Sequence, residues 1–242
     1  MKRLIAVCCL VLAIVPVKAQ QLPQSETFSW DKLIVPGILI GAGTIASFSP
    51  WYQDNVDTPL QNWALGVNGG KEFILDNALQ FVPYLGYAAA IPFAESEHSW
   101  QEKTLVMGTS MAVMLTLVYG TKFLTGVSRP NSTNNMSFPS GHTAMAFVGA
   151  EIVRQEYGPW WGLAAYTAAV GTGFLRVYNN WHWSSDVIAG AGVGILSGMI
   201  AYWLLPWERN TFKINNSDAN ITASPSYIPG LNVPVVALTF KF

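Results

Sequence analysis

Three polar clusters lie between residues 122 and 186 of the chain: Lys122-Phe-Leu-Thr-Gly-Val-Ser-Arg129-Pro130, Pro139-Ser140-Gly141-His142 and Arg176-Val-Tyr-Asn-Asn-Trp-His182-Trp-Ser-Ser-Asp186. The segments around them are mostly apolar, and ionisable side chains are costly in apolar surroundings. Two of the three histidines of the chain fall in these clusters. The clusters therefore contain the candidate functional residues, and the rest of the chain is interpreted around them.

The composition is that of an integral membrane protein. Of the 242 residues, 51% are hydrophobic and 11% are charged, whereas charged residues make up roughly 25% of a soluble domain. The chain also has 10 tryptophans and 9 tyrosines, which are enriched at membrane interfaces. The formal net charge is −1, so the composition gives no indication of a nucleic-acid partner.

Six helical segments are predicted, and the fold class is an all-α polytopic membrane bundle of about six helices. The Gly158-Pro159 pair separates two of them, and Pro206 is expected to end the last. The stretch Ala189-Gly-Ala-Gly-Val-Gly194 supplies small residues for close helix packing. The predicted segments are 33–49, which is marginal as a span, 72–93, 103–124, 141–157, 159–178 and 184–205; residues 50–71 are predicted as an interfacial loop with a short helix near Asp57-Thr-Pro59.

The ends of the chain differ from its middle. Residues 1–19 resemble a secretory signal, with cleavage expected before Gln20; an uncleaved anchor is the alternative. Both cysteines lie in this segment, so disulfides and thiolate catalysis are not expected in the remainder. Residues 20–205 form the predicted membrane domain. Residues 206–242 form a polar tail, loop-like to about Ser226, in which a short strand is expected near its end.

The first two clusters indicate an anion site. Lys122 and Arg129 are cations seven residues apart, although side chains at a helix end also snorkel to the membrane interface. Ser140 is a good N-cap for the helix that follows, and Gly141 permits close approach of a ligand to the backbone. The free N–H groups of a helix start bind anions, and His142 is a candidate proton donor or acceptor there. The alternative interpretation of this cluster is a helix cap alone.

The third cluster indicates a nucleophile. His182 and Asp186 are four residues apart, so on a helical turn the carboxylate can hold the imidazole in one tautomer. A purely structural pair is the alternative. Three cations suit the charge of a phosphoryl group, and the one carboxylate in the clusters is committed to His182. The residues therefore favour phosphoryl transfer through a phosphohistidine, with no metal ion and no cofactor.

Together the clusters resemble the signature of the type 2 phosphatidic acid phosphatase family, which is related to bacterial acid phosphatases and vanadium haloperoxidases. That signature is Lys, six residues, Arg-Pro; then Pro-Ser-Gly-His; then Ser-Arg, five residues, His, three residues, Asp. The chain matches it over roughly 50–205 and departs at one position, where Leu175 replaces the serine.

The resemblance implies a role for each site residue. His182 attacks phosphorus, Asp186 orients His182, and His142 protonates the leaving oxygen and then activates water. The expected phosphate-binding residues are Lys122, Arg129, Ser140, Gly141 and Arg176. The enzyme class is a phosphoric monoester hydrolase. His98 has no counterpart and is interpreted as an ordinary loop histidine.

The expected substrate is a phospholipid or glycolipid phosphate in a membrane. Trp160, Trp161, Trp181 and Trp183 lie near the site in sequence and suit a lipid headgroup layer. The chain resembles Gram-negative envelope enzymes of the Bacteroidetes type, so lipid A phosphate is the first expectation. Undecaprenyl pyrophosphate and phosphatidylglycerol phosphate are the alternatives. The expected location is the inner membrane of a bacterial envelope, with the site at the periplasmic face; this location requires that one of the first three segments does not cross.

Two other function classes share the same residues. One is a haloperoxidase-like oxidoreductase that holds vanadate in the anion pocket. The other is a non-catalytic membrane protein that only binds anions. The apolar segments argue against the first, and the complete set of His142, His182 and Asp186 argues against the second.

Overall fold

The structure is a computed structural model that describes residues 27–90, 96, 98–214, 220–228 and 233–241. The signal segment predicted over residues 1–19 lies outside the described residues. The helices are α1 (Ile34–Ser47), α2 (Pro50–Asn68), α3 (Leu75–Leu79), α4 (Val82–Ala90), α5 (Trp100–Thr125), α6 (Gly141–Tyr157), α7 (Pro159–Tyr178) and α8 (Ser184–Phe212), and the strands are β1 (Asn220–Ile228) and β2 (Val233–Lys241).

The helical membrane bundle expected from the sequence is confirmed. In the described part of the chain, α5 and α8 are long and apolar enough to cross a membrane, and α1 with α2 passes the same test as a pair bent by 82°. The strand expected near the end of the tail is confirmed as β2. It pairs antiparallel with β1, so the prediction of a loop up to residue 226 is wrong there.

Helix α8 is the centre of the bundle and packs against α1, α5 and α6. A Cβ atom added to Gly194 would lie 2.4 Å from the carbonyl oxygen of Ala144, and one added to Gly190 would lie 2.6 Å from that of Ser140. Glycine at both positions therefore allows the α6 backbone to approach α8 closely. The close packing predicted for the small-residue stretch is confirmed.

Helix α1 lies antiparallel beside α8, and most of the length of α1 packs against it. At one end the hydroxyls of Tyr52 and Ser184 are 3.0 Å apart. At the other end the ring of Phe28 packs on that of Trp203, with centroids 4.9 Å apart. Ser184 and Trp203 are separated by roughly 28 Å at the helical rise of about 1.5 Å per residue. Residues 28–52 thus extend over a distance close to the hydrocarbon thickness of about 30 Å.

Several helix boundaries agree with the sequence predictions, and the last one does not. The observed bounds of α6 and α7 are those expected from the Gly158-Pro159 break. Helix α8, however, continues through Pro206 to Phe212. A proline inside a helix removes one backbone N–H, and contacts with α5 stabilise the added turns. The Arg209 guanidinium donates to the Glu102 carboxylate, and the Thr109 hydroxyl donates to Glu208 at 2.5 Å.

The single helix predicted over residues 72–93 is wrong. The chain forms α3 and then α4, with Pro83 in the first turn of α4. Proline cannot donate to a preceding carbonyl, so the break falls just before it. The turn predicted over residues 94–102 ends earlier, because Ser99 caps α5 and forms a capping box with Glu102. The short helix expected within residues 50–71 is confirmed as part of α2.

His98 lies in a loop as expected, but its side chain is buried, which corrects its interpretation as an ordinary loop histidine. Its Nδ1 lies 3.0 Å from the Glu156 carboxylate, and the two side chains are 6% and 0% exposed. The Tyr202 hydroxyl donates to the same carboxylate at 2.6 Å. These residues lie at the end of α6 opposite His142 and hold the bundle together there.

Candidate active site

The fold brings the three clusters to one end of the bundle. Lys122 is in the last turns of α5, His142 is in the first turn of α6, Arg176 is in the last turn of α7, and His182 and Asp186 flank the start of α8. The backbone N–H of Ser140 donates to the carbonyl of Asp186 at 3.0 Å, which joins the second cluster to the third. All eight predicted site residues therefore lie in the same region.

His182 and Asp186 form the buried pair that their spacing predicts. His182 Nδ1 is 3.2 Å from Asp186 Oδ2, and the side chains are 2% and 0% exposed. The same carboxylate oxygen accepts from the Trp183 backbone N–H at 3.0 Å and from the Ser137 hydroxyl at 2.5 Å. With Nδ1–H directed at Asp186, the lone pair of His182 is on Nε2, which is the arrangement of a nucleophile.

Ser137 is a site residue that the sequence analysis missed. It is 0% exposed, and its hydroxyl oxygen lies 3.3 Å from His182 Nδ1 as well as bonding Asp186. Its only signal in the sequence is its position three residues before Ser140. It closes a triangle with the histidine and the carboxylate.

His182 is neutral near pH 7 in this setting. Burial lowers the pKa of its imidazole well below the ordinary value, and the positive charges of Lys122, Arg129 and Arg176 lower it further. Both causes disfavour the imidazolium. A neutral imidazole has the free lone pair that attack on phosphorus requires.

The two arginines have buried donors without hydrogen-bond partners among the described residues. Their guanidinium groups lie 5.5 Å (Arg129) and 5.4 Å (Arg176) from the ring centroid of Trp181. Arg176 Nη1 donates to Asp76 Oδ2 at 2.6 Å. The Nε atoms of both arginines are buried and have no hydrogen-bond partner among the described residues. Because an unmet buried donor is costly, an anion between these groups would be stabilised.

Lys122 does not snorkel. It is 6% exposed, and its ammonium donates to the carbonyls of Met136 at 2.5 Å and Ser137 at 2.9 Å. These bonds hold the loop before α6 against the end of α5. They also direct a positive charge towards the other two clusters.

Ser140 is the N-cap of α6, as predicted. Its hydroxyl oxygen accepts from the Thr143 backbone N–H at 3.4 Å and from the Thr143 hydroxyl at 2.9 Å. A Cβ added to Gly141 would meet only Val118, at an ordinary 3.6 Å. Packing within the protein therefore does not require glycine at position 141.

Helix α3 contributes two further residues that the sequence analysis missed. Asp76 bonds Arg176, and Asn77 Oδ1 lies 3.2 Å from Nε2 of His142. The only sequence signal was the polar pair itself, in the mostly apolar segment 72–93, which also contains Glu72 and Gln80. Asp186 and Asp76 are each engaged with a cationic or imidazole partner, and no group of three metal-ligating side chains occurs in the part of the chain that the structure describes.

The four tryptophans do not all lie at the site. Trp181 is beside the two arginines, and the Trp183 indole donates to the Ser128 carbonyl at 2.9 Å. Trp160 and Trp161 begin α7, and Trp160 is about 24 Å from Arg176 along that helix, at a rise of about 1.5 Å per residue. Trp160 and Trp161 are therefore near the site in sequence but not in space, because a helix as long as the bundle separates them from it.

Comparison with known proteins gives the following similarities. Residues 103–210 match the family described as the PAP2 superfamily. A curated relative, the lipid A 1-phosphatase of Porphyromonas gingivalis, is 38% identical over 155 residues, which cover 62% of this chain. The chain spans 35% of that relative's length.

Two solved structures are also similar. Aquifex aeolicus LpxE is 25% identical with a TM-score of 0.43, covering 58% of this chain and 92% of that one. A transmembrane PAP2 type phosphatidylglycerolphosphate phosphatase from Bacillus subtilis is 21% identical with a TM-score of 0.40, covering 76% of this chain and 98% of that one.

Proposed function

We propose that this chain is a membrane-bound phosphatase that removes a phosphate group from a lipid without a metal ion, a proposal that the match of residues 103–210 to the PAP2 superfamily supports. One observation carries the proposal. A buried histidine held by a carboxylate lies beside two arginines whose buried Nε donors lack partners among the described residues. A nucleophile beside an unfilled anion site is what phosphoryl transfer to a side chain requires.

The first step forms a phosphohistidine. The phosphate oxygens bind Arg129, Arg176 and Lys122, which stabilise the charge that develops in the transition state. Nε2 of His182 forms the bond to phosphorus while the bond from phosphorus to the lipid oxygen breaks. The leaving oxygen takes a proton from His142, so the lipid departs as an alcohol.

The second step releases phosphate. Water attacks the phosphorus and gives its proton to the now neutral His142. The bond between phosphorus and Nε2 breaks, its electron pair returns to His182, and inorganic phosphate leaves. Asp186 and Ser137 keep the imidazole of His182 in the same tautomer through both steps.

The proposed substrate is a lipid A phosphate. The curated relative that is 38% identical over 155 residues is a lipid A 1-phosphatase. The aligned part includes 62% of this chain. The site itself recognises the phosphate and so fits other lipid phosphates as well.

The proposed location is the inner membrane, with the site at the periplasmic face. Cationic side chains favour the cytoplasmic ends of membrane helices. Apart from the site residues, the end of the bundle that contains the site carries Lys71 among the described residues. The opposite end carries more cations: Lys32, Arg154, Arg209 and Lys213. This distribution supports a cytoplasmic opposite end.

Phosphate release by the purified, detergent-solubilised full chain tests the activity. The substrates are lipid A bearing its phosphates, undecaprenyl pyrophosphate and phosphatidylglycerol phosphate, and His182→Ala is the control. We expect release from lipid A by the native chain and none by the variant. Release only from one of the other lipids would overturn the substrate assignment alone.

Two results would overturn the activity itself. One is phosphate release by a well-folded His182→Ala protein at the native rate. The other is no release from any lipid, together with vanadate-dependent oxidation of bromide by peroxide, which would identify an oxidoreductase. Vanadate binding with neither activity would identify a protein that only binds anions.

A further inference from the structure

Helix α3 is attached to the site through several contacts, although it lies outside residues 103–210, which match the family. The Phe73 backbone just before α3 makes two hydrogen bonds with the Asn179 side chain, of 2.8 and 2.9 Å. Asp76 is 1% exposed and bonds Arg176. These contacts fix the position of α3, so the next residue, Asn77, faces the imidazole of His142.

The contact between Asn77 and His142 determines which ring nitrogen of His142 carries hydrogen. Asn77 Oδ1 lies 3.2 Å from His142 Nε2, and an amide oxygen only accepts hydrogen bonds. Nε2 therefore carries hydrogen in both the neutral and the charged imidazole. Nδ1 is the atom that gains and loses the proton.

The surroundings of His142 make such a partner important. Burial comes first, and with the nearby cations it lowers the pKa of His142 to about 4. The charged groups that act on it are Arg176, Arg129 and Lys122, which disfavour the imidazolium, and Asp76, which favours it. A general acid in this setting needs groups that favour its charged form.

We propose that Asn77 is a positioning residue of the reaction: its amide oxygen holds Nε2–H of His142, stabilises the imidazolium and leaves Nδ1–H to protonate the leaving lipid oxygen. This inference rests on the proposed function. In this role Asn77 acts only through its contact with His142. It is exposed, so replacing it leaves the packing of the bundle intact.

Three variants test the inference. Asn77→Leu removes the acceptor, and Asn77→Asp replaces it with a negative charge of the same shape. Asn55→Leu is the matched control, since Asn55 is also exposed and makes one hydrogen bond, to the Trp51 carbonyl at 2.8 Å. The measurements are the pH dependence of kcat on a lipid phosphate and the titration of the His142 ring by nitrogen NMR with vanadate bound. Only three histidines occur in the chain, and His142→Gln identifies the signal.

The expected shifts have opposite signs. Activity falls as pH rises through the pKa of His142, because the acid form is lost. Asn77→Leu moves the pH at which kcat falls, and the midpoint of the NMR titration, to lower pH. The expected shift is about 0.5–1 pH unit for the loss of one hydrogen bond. Asn77→Asp moves both to higher pH, and Asn55→Leu moves neither. KM stays near that of the native chain in each case.

The outcomes separate the inference from the proposed function. If the native chain is active and both Asn77 variants keep its pH dependence of kcat and its His142 titration, the proposed role of Asn77 is overturned. A fall in thermal stability with the native pH profile has the same consequence, since it indicates a structural contact. An inactive native chain refutes the proposed function, and the NMR titrations then still decide whether Asn77 controls His142.

Discussion

Replacing Ser137 with alanine removes one of the hydrogen bonds that hold the carboxylate of Asp186. The hydroxyl donates to Asp186 Oδ2 at 2.5 Å, in a setting where both side chains are 0% exposed. Asp186 keeps the Trp183 backbone N–H and His182 as partners. The carboxylate then has more freedom, and the imidazole it orients is less often directed at phosphorus.

The magnitude follows from the charge on the acceptor. A hydrogen bond to a charged group contributes about 1.5–3 kcal/mol, and each 1.36 kcal/mol or so is a tenfold change in rate. We therefore expect kcat to fall roughly ten- to hundred-fold. KM should change little, because the Ser137 hydroxyl bonds Asp186 and is not among the residues proposed to bind the phosphate.

The assay is steady-state phosphate release from a lipid phosphate and from p-nitrophenyl phosphate, together with the midpoint of thermal unfolding. Ser128→Ala is the matched control. Ser128 is an exposed serine on the same loop, and its hydroxyl donates to the neutral amide of Asn135 at 2.8 Å. It should retain the native kcat on both substrates.

A kcat for Ser137→Ala within twofold of the Ser128→Ala value would refute the reasoning. It would mean that Trp183 and His182 alone hold the carboxylate. An equal loss in both variants would instead implicate the loop as a whole.

Activity should persist in excess EDTA, because arginine and lysine side chains carry the charge of the phosphate; loss in EDTA that magnesium restores would contradict this mechanism. His142→Ala should reduce phosphate release from a lipid roughly a hundred- to ten-thousand-fold. It should affect release from p-nitrophenyl phosphate far less, since nitrophenolate leaves without a proton. Equal losses of the phosphorylation burst with both substrates would contradict the role of His142 as the acid. Gly190→Ala should lower the unfolding midpoint and activity, since its Cβ would lie 2.6 Å from the Ser140 carbonyl and overpacking costs about 1–3 kcal/mol. Gly120→Ala, with nothing within 4 Å, should be neutral or slightly stabilising, and equal effects of the two alanines would argue against close packing at Gly190.

The features that could be predicted from sequence are those that depend on neighbours along the chain. Helix α6 begins and ends as expected because Ser140 caps it and Gly158 precedes a proline. His182 and Asp186 meet because a four-residue spacing on a helical turn puts them on one side. The hydrophobic composition likewise suffices to predict a helical membrane bundle.

The features that could not be predicted depend on contacts between distant segments. Asp76 meets Arg176 across 100 residues and Ser137 meets Asp186 across 49, and no local pattern encodes either pair. The same holds for α8, whose continuation beyond Pro206 is stabilised by α5 rather than by its own sequence. His98 was misjudged because its partner, Glu156, comes from the far end of α6.

The extent of α1 along α8 has a consequence for how the chain is inserted. Phe28 packs near one end of α8 and Tyr52 at the other, so residue 28 and the candidate catalytic pair lie at opposite ends of the bundle. If α1 and α8 cross the membrane together, a signal cleaved before Gln20 would leave residue 28 outside the cytoplasm and the site on the cytoplasmic side. Cleavage at residue 19 and a periplasmic site would then exclude each other. The mass of the protein purified from membranes decides between them: a chain that begins at Gln20 would place the proposed phosphatase site at the cytoplasmic leaflet.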